Sequence, residues 1–528
     1  MAGGSAATAF PQFFRYTVAL IRPHHTQRSS LVSLKSFITK QLNLPDSVAE
    51  RAIPASPSSG IPGARVTPRD AHNVSRHQIS EGALQVLNGL HRAGFQAYLV
   101  GGSVRDLLLG REPKDFDVAT DAHPEQVRKL FRRNARLIGR RFILVHVQFG
   151  HEIIEVATFR GSAGDQENET SERSETGRIL ADNVYGSLEE DARRRDFTAN
   201  ALYYNIADRS ILDFSTGMED LQSGRLRIIG DPEQRYSEDP VRMLRAVRFA
   251  AKLGFTLDSA AQAPIAACRE RLREVPSARL FEETLKLFLN GNAQTSFEHL
   301  RQHGLFAALF PQVDALLDHA EYAAARALLQ SALEGTDARV RDGKSVTPAF
   351  LFAALLWPAL KQHSQLLEQQ GKPATVALQQ AASDVLQDCT GRVSIPRRFA
   401  LTMREIWELQ ARFLRRGGRR PHALFAHPRF RAAFDFLSLR SQSGEIPAAL
   451  VEWWERFQAA DHDGRRTLIE QARLEETGQE PALGPLPTTS RLRPRRRRRR
   501  PNRPGQGSVA SHPDGTDDGH DGEPADSD

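Results

Sequence analysis

Two periodicities divide this chain. Up to about Phe159, short apolar runs and strict alternation dominate, whereas beyond Asp196 apolar residues recur at helical spacing. Ala83, Leu84, Val86, Leu87 and Leu90 follow Ser80 on one helical face, which predicts a helix capped by Ser80 and ended at Gly94. A strand over 96–100, the Gly101-Gly102 turn and a helix over 103–109 closed by Gly110 come next. A strand over 116–119 precedes a helix opened by Pro124, with Val127, Leu130 and Phe131 on one face. Strands are expected over 137–150 and 152–159, joined at Gly150. In the first, Ile143, Val145, Val147 and Phe149 face one way, and His146 and Gln148 the other.

Past Asp196 the reading is helical. Pro240 opens a strong helix that ends at Gly254, and 275–290, 295–309 and 350–360 continue the pattern with no repeat of fixed period. Strands gathered early and helices late define an α+β fold rather than alternating βαβ units. The predicted organisation is a flexible extension over 1–75, marked by Pro54, Pro57, Pro62 and Pro68, then a β-containing head over 76–214. A helical neck over 215–290, a helical body over 291–380, a helical C-terminal domain over 381–480 and a disordered arm over 481–528 follow. The polar run 161–178 reads as a surface loop.

At 528 residues the chain exceeds one ordinary core, and 40% hydrophobic content is enough for several. The net charge of +7 matters less than its placement. Nine arginines fall within the thirteen residues 491–503, and seven acids without Lys or Arg follow over 514–528. That is a basic arm with an acidic tip. Cys268 and Cys389 are too far apart for a CxxC motif, which excludes a zinc ribbon or disulfide framework and points to a reducing compartment. No run reaches transmembrane length. Residues 1–45 contain no Asp or Glu, as in organelle transit peptides, although a dispensable basic extension is the simpler reading.

The densest chemistry lies between Tyr98 and Phe159. Asp115 and Asp117, one residue apart on an expected strand, would leave one face about 7 Å apart. Such a pair can bridge two Mg²⁺ ions about 4 Å apart in the two-metal arrangement. Glu155, embedded among Ile153, Ile154 and Val156, is the candidate third ligand. Gly101 and Gly102 offer bare amides at a helix start, with Arg105 one turn in to meet phosphate. In the run 193–200, Asp196 either caps the following turn or contacts ribose and triphosphate together with Arg195 and Asn200. The helix after Pro240 carries a core stripe of Val241, Leu244 and Val247 and a basic stripe of Arg242, Arg245 and Arg248. Asp239 and Arg242 supply an acceptor beside a donor, a pattern that fits adenine or cytosine and rejects guanine and uracil; an exposed ion pair is the plain alternative.

Together, Leu99-Val100-Gly101-Gly102-Ser103-Val104-Arg105-Asp106, Asp115-Phe116-Asp117, Arg194-Arg195-Asp196-Phe197-Thr198 and Glu238-Asp239-Pro240-Val241-Arg242 resemble the class II nucleotidyltransferases. That family comprises polyadenylating enzymes and tRNA CCA-adding enzymes. The resemblance implies a nucleotidyltransferase head and template-free addition of nucleotides to RNA 3′ ends. It implies Asp115 and Asp117 as catalytic metal ligands, Asp196 as an active-site carboxylate, and Asp239 with Arg242 as the base reader. Ser103 stands where these polymerases often carry a third glycine. The segment around Gly139-Arg140-Arg141-Phe142 and the arginine arm resemble the polyadenylating branch, which adds AMP from ATP. Arg493 and Arg495, Arg496, Arg497, Arg498, Arg499 and Arg500 would then hold RNA without regard to sequence. The same resemblance implies Mg²⁺ and ATP, a cytoplasmic monomer promoting RNA decay, and partners among the RNA-decay machinery and RNA chaperones. CCA addition to tRNA is the alternative, and a non-catalytic RNA-binding protein on the same fold is the second. Only an isolated His462-Asp463 follows the head, so no second, hydrolytic centre is expected.

Overall fold

The computed structural model describes residues 61–139, 143–161, 171–173, 179–182 and 184–477. Those up to Ala472 form one compact unit, and those from Arg473 belong to a second. The head begins with β1 (Arg65–Thr67). The Ser80 hydroxyl accepts the Ala83 amide at 3.2 Å and opens α1 (Glu81–Arg92), which buries Ala83, Val86, Leu87 and Leu90. β2 (Ala97–Val100) leads through Gly101 into α2 (Gly102–Leu108). Then come β3 (Asp117–Thr120), α3 (Pro124–Phe131), β4 (Ala135–Ile138), β5 (Leu144–Phe149) and β6 (Glu152–Thr158). β7 (Ser171–Arg173) and β8 (Ile179–Asp182) pair only with each other. The head closes with α4 (Leu188–Arg194), β9 (Leu202–Tyr204) and β10 (Ile211–Asp213).

Eight of these strands form one mixed sheet, in the order β1-β10-β9-β2-β3-β6-β5-β4. Its one parallel pair is β3 with β6, reached by the crossover through α3. α1 and α3 pack against β5 and β6 and bury Val145, Val147, Ile154 and Val156. Period-2 alternation therefore sends His146, Glu155 and Ala157 to the opposite face, where the cleft lies.

The neck follows. Asp231 accepts the Gln234 amide at 2.8 Å and starts α5 (Pro232–Glu238). α6 (Val241–Leu253) ends on Gly254 in the left-handed conformation, with Val241, Leu244 and Val247 buried as its stripe predicts. α7 (Ser277–Phe288) packs beside it. The core continues through the helical body, and the helices Arg397–Phe413, Phe430–Gln442 and Ala448–Ala459 enclose an aromatic cluster of Phe413, Phe430, Trp454 and Phe457.

Six expectations are corrected. The extension does not run unbroken to residue 75, because β1 adds to the sheet edge through Arg65 opposite Asp213; a three-residue strand is too short to show a period. The strand expected over 137–150 is two, β4 and β5, separated at Gly139, whose φ is 97°. Within 161–178, Ser171–Arg173 is a strand rather than loop. The chain does not turn wholly helical after Asp196, since β9 and β10 complete the sheet. The helix expected over 295–309 is broken by Gly304 at φ 69°, and that over 350–360 is divided into Pro348–Leu355 and Trp357–Gln369.

Candidate active site

Register assembles the carboxylates. Val100 lies opposite Asp117 across β2 and β3, and Asp117 lies beside Glu155 across β3 and β6. Adjacent strands stand about 4.8 Å apart, so both carboxylates leave the same face as neighbours. Phe116 and Val118 enter the core at 8% and 0% exposure. Asp115 departs from expectation: β3 starts at Asp117, and Asp115 sits exposed in the bend before it. The ladder cannot extend to Asp115 because β2 ends at Val100, where Gly101 turns away. Asp117 and Glu155, rather than Asp115 and Asp117, are the pair fixed side by side.

Burial first, and then the Glu155 charge, push the Asp117 carboxyl up to about 6, with Asp115 adding and Arg195 opposing. Two carboxylates that repel one another in a half-buried site are a donor set for a hard dication. Mg²⁺ takes one or two carboxylates and completes its shell with water and phosphate oxygens, and these residues fit that requirement. Among the described residues no three carboxylate, imidazole or thiol groups converge as an all-protein cage.

Gly101 has φ 75° and ψ −132°, a conformation reserved for glycine. A Cβ there would stand 3.5 Å from Arg195 Nη1 and 3.8 Å from Asp117 Oδ2. The turn thus brings bare backbone to the carboxylates, and Gly102 opens α2 beside it. Arg195 is locked in place: its Nε donates to the Tyr203 hydroxyl at 2.9 Å, its Nη2 to Asp191 at 3.1 Å, and Tyr203 in turn donates to Asp191 at 2.6 Å.

A cavity of about 310 Å³ lies over this floor. Asp117 and Glu155 form its head side, Asp239, Arg242 and Arg279 its neck side, and Arg160, Arg194, Arg195 and Arg235 stand between them. Burial lowers Arg160, Arg235 and Arg194, the last to about 10, and neighbouring guanidinium groups push each further down. So much positive charge in one wall calls for a polyanion. On the neck side Arg279 donates to both oxygens of Asp239, at 2.7 Å each. Arg242 donates to the Arg235 carbonyl at 2.8 Å and to Glu238 at 3.0 Å. Asp239 and Arg242 therefore do not form the plain ion pair with each other; each is oriented by a different partner.

Several expected nucleotide contacts are engaged elsewhere. Arg105 is 2% exposed and spends its donors on Asp106 and, at 2.5 Å, on Asn200 Oδ1. Asn200 is itself buried and donates to Asp196 at 3.2 Å. Asp196 Oδ2 accepts both Nε and Nη2 of Arg245, at 2.8 and 2.5 Å, and so joins the head to α6. Burial alone would raise that carboxyl, but the Arg245 charge and the surrounding donors outweigh it and hold the group at about 2. Arg248 is paired with Glu283 at 2.7 Å. Polar groups clustered in sequence signal buried ion pairs as readily as ligand contacts, and in this structure Arg105, Asn200, Asp196 and Arg248 have such partners.

Arg160, Arg235 and Arg279 escaped the sequence reading. Arg160 was findable, since it follows directly on the strand that carries Glu155. Arg279 was not, because it lies forty residues beyond Asp239 on another helix. Arg493 and Arg495 to Arg500, together with Arg140, Arg141 and Phe142, lie outside the described residues.

Comparison with known proteins identifies the family. Residues 97–227 match the family described as "Poly A polymerase head domain", 254–317 "Probable RNA and SrmB- binding site of polymerase A", and 370–504 "Polymerase A arginine-rich C-terminus". A poly(A) polymerase I of Salmonella typhimurium is 46% identical over 467 residues, 88% of this chain and 97% of the relative. A CCA-adding enzyme of Lactobacillus helveticus is 39% identical over 41% of this chain and 52% of its own length. A solved tRNA-processing enzyme shares the fold at a TM-score of 0.51 and 20% identity, covering 73% of this chain and 99% of its own. Head, neck and helical remainder thus define a nucleotidyltransferase of α+β architecture. Within that class the chain belongs to the poly(A) polymerase I family.

Proposed function

We infer that the chain is a polynucleotide adenylyltransferase, adding AMP from ATP to RNA 3′ ends without a template. The observation that carries this reading is one cleft in which the Asp117–Glu155 pair faces Asp239 and Arg279 across a wall of arginines. Asp117, Glu155 and the adjacent Asp115 would hold Mg²⁺. When bound, the metal lowers the pKa of the attacking 3′-hydroxyl and neutralises charge on the leaving pyrophosphate. Arg160, Arg194, Arg195 and Arg235 bind the triphosphate, and the Gly101 turn admits it close to the backbone. Asp239, held flat by Arg279, accepts the adenine amino group while Arg242 donates to the ring nitrogen. The 3′-oxygen attacks the α-phosphorus in line, the new P–O bond forms, and the bond to the β-phosphate oxygen breaks.

In this reading the neck selects the base, and the body and the arginine arm hold RNA. The match over 254–317 to a region described as a probable RNA-binding site, which spans the end of the neck and the start of the body, supports RNA binding there. RNA-decay machinery and RNA chaperones are the proposed partners of a cytoplasmic monomer. No described helix is long and apolar enough to cross a membrane.

The test is incorporation from single nucleotides with Mg²⁺ on generic RNA and on tRNA lacking its 3′ end. ATP alone should extend both. Addition that stops after C, C and A on tRNA alone would establish the CCA-adding alternative.

A further inference from the structure

Among the described residues, one face of the outer sheet has no covering helix. Opposite the side on which α1 and α3 pack, Ile138 and Ile153 are 43% and 49% exposed, and Arg136 and Gln148 are exposed beside them. Register arranges this face in rows. Arg136 lies opposite His146, His146 opposite Glu155, and Glu155 beside Asp117. His146 Nε2 stands 3.6 Å from Glu155 Oε2, which places both side chains on that face. A single row of four residues therefore runs from a cation at the sheet edge to the candidate metal ligands. At about 4.8 Å per strand it spans about 14 Å.

The flanking rows are of another kind. Gln148 lies opposite Ile153 on one side, and Ile138 opposite Leu144 on the other. Arg136 stands exposed at the outer end of that row and forms no ion pair among the described residues.

We propose that this face is the track on which the last nucleotides of the RNA acceptor lie, with Arg136 holding a backbone phosphate. The proposal rests on the adenylyl-transfer reading of the cleft and deepens it by naming where the acceptor enters. The length of the row orients the strand. With a backbone phosphate on Arg136, the last nucleotides cover the roughly 14 Å to Glu155 and Asp117 and bring the free 3′-hydroxyl to the carboxylates. The exposed isoleucines give the bases an apolar floor without base-edge discrimination. A track of this kind holds RNA of any sequence.

The test uses the full chain and an oligoribonucleotide carrying 4-thiouridine two nucleotides from its 3′ end. Irradiation should cross-link it to peptides within 130–153; cross-links confined to the helical body and tail would overturn the proposal. This readout needs no catalysis, so it stands apart from any failure of the adenylyl-transfer reading, which would show as absent AMP incorporation. As a second measurement, Arg136→Glu should raise the RNA concentration for half-maximal AMP incorporation about tenfold and lower the salt slope of RNA binding by about 0.7, as loss of one single-strand phosphate contact requires. Arg136→Lys should restore most of the affinity, with KM for ATP unchanged in both. An unchanged RNA KM and salt slope in Arg136→Glu would contradict the track, as would an equal rise in KM for ATP.

Discussion

Arg245 places two donors on one oxygen of Asp196, at 2.8 and 2.5 Å, and so forms a polar link between the head and the helix that carries Arg242 of the proposed base reader. Motif reading puts Asp196 at the sugar. In the structure its carboxylate is filled by Arg245, Asn200 and the Phe197 amide. That pairing ties the head to the helix that follows Asp239.

Asp196→Asn leaves a largely buried guanidinium without its counter-charge and should cost about 2–4 kcal/mol of stability. A lower thermal midpoint, partly recovered in the double variant with Arg245→Met, is the expected readout. The pH dependence follows from the shift. The folded carboxyl titrates at about 2 against an ordinary value of 3.8, so its contribution is complete above about pH 4 and is lost as pH falls through 2. Asp196→Asn should flatten the acid side of the stability curve in that window and leave the neutral side parallel.

Arg279→Ala frees Asp239 from the two 2.7 Å hydrogen bonds that orient it. Incorporation of ATP relative to GTP and UTP should fall by about tenfold, through KM for ATP more than through kcat, because the lost alignment concerns the base and not the reacting phosphate. A uniform fall for all nucleotides would show instead that Arg279 supports the fold.

Gly101→Ala forces a Cβ into a backbone conformation with φ 75° and ψ −132°, at a cost of about 1–3 kcal/mol. It also places that carbon 3.5 Å from Arg195 Nη1 and 3.8 Å from Asp117 Oδ2. Activity should drop more than stability accounts for. Gly94→Ala, at φ 87° with nothing within 4 Å, is the control for strain alone.

The parts of this protein legible in its sequence are those whose signal is local. The alternation in β5, the Ser80 cap of α1 and the Val241, Leu244, Val247 stripe of α6 all stand as read. What escaped depends on partners distant in sequence. β1 exists because it pairs with β10, Val66 lying opposite Leu212 146 positions away, and Arg65 meets Glu219 at nearly the same separation, 154 positions. Asp117 finds Glu155 through a parallel register that no spacing rule exposes, and the same holds for Asp239 and Arg279. Conversely, Arg105, Asn200 and Arg248 have the residue types of a phosphate site but are turned inward by Asp106, Asp196 and Glu283. Residue type predicted charge correctly, and tertiary pairing decided which charges meet the cleft.

The most direct measurement of the central claim is single-turnover AMP incorporation into RNA by Asp117→Asn at a temperature where its fold matches the unsubstituted chain. The cleft described here predicts a rate loss on the order of a hundredfold or more with RNA binding retained. Incorporation at the unsubstituted rate would contradict it.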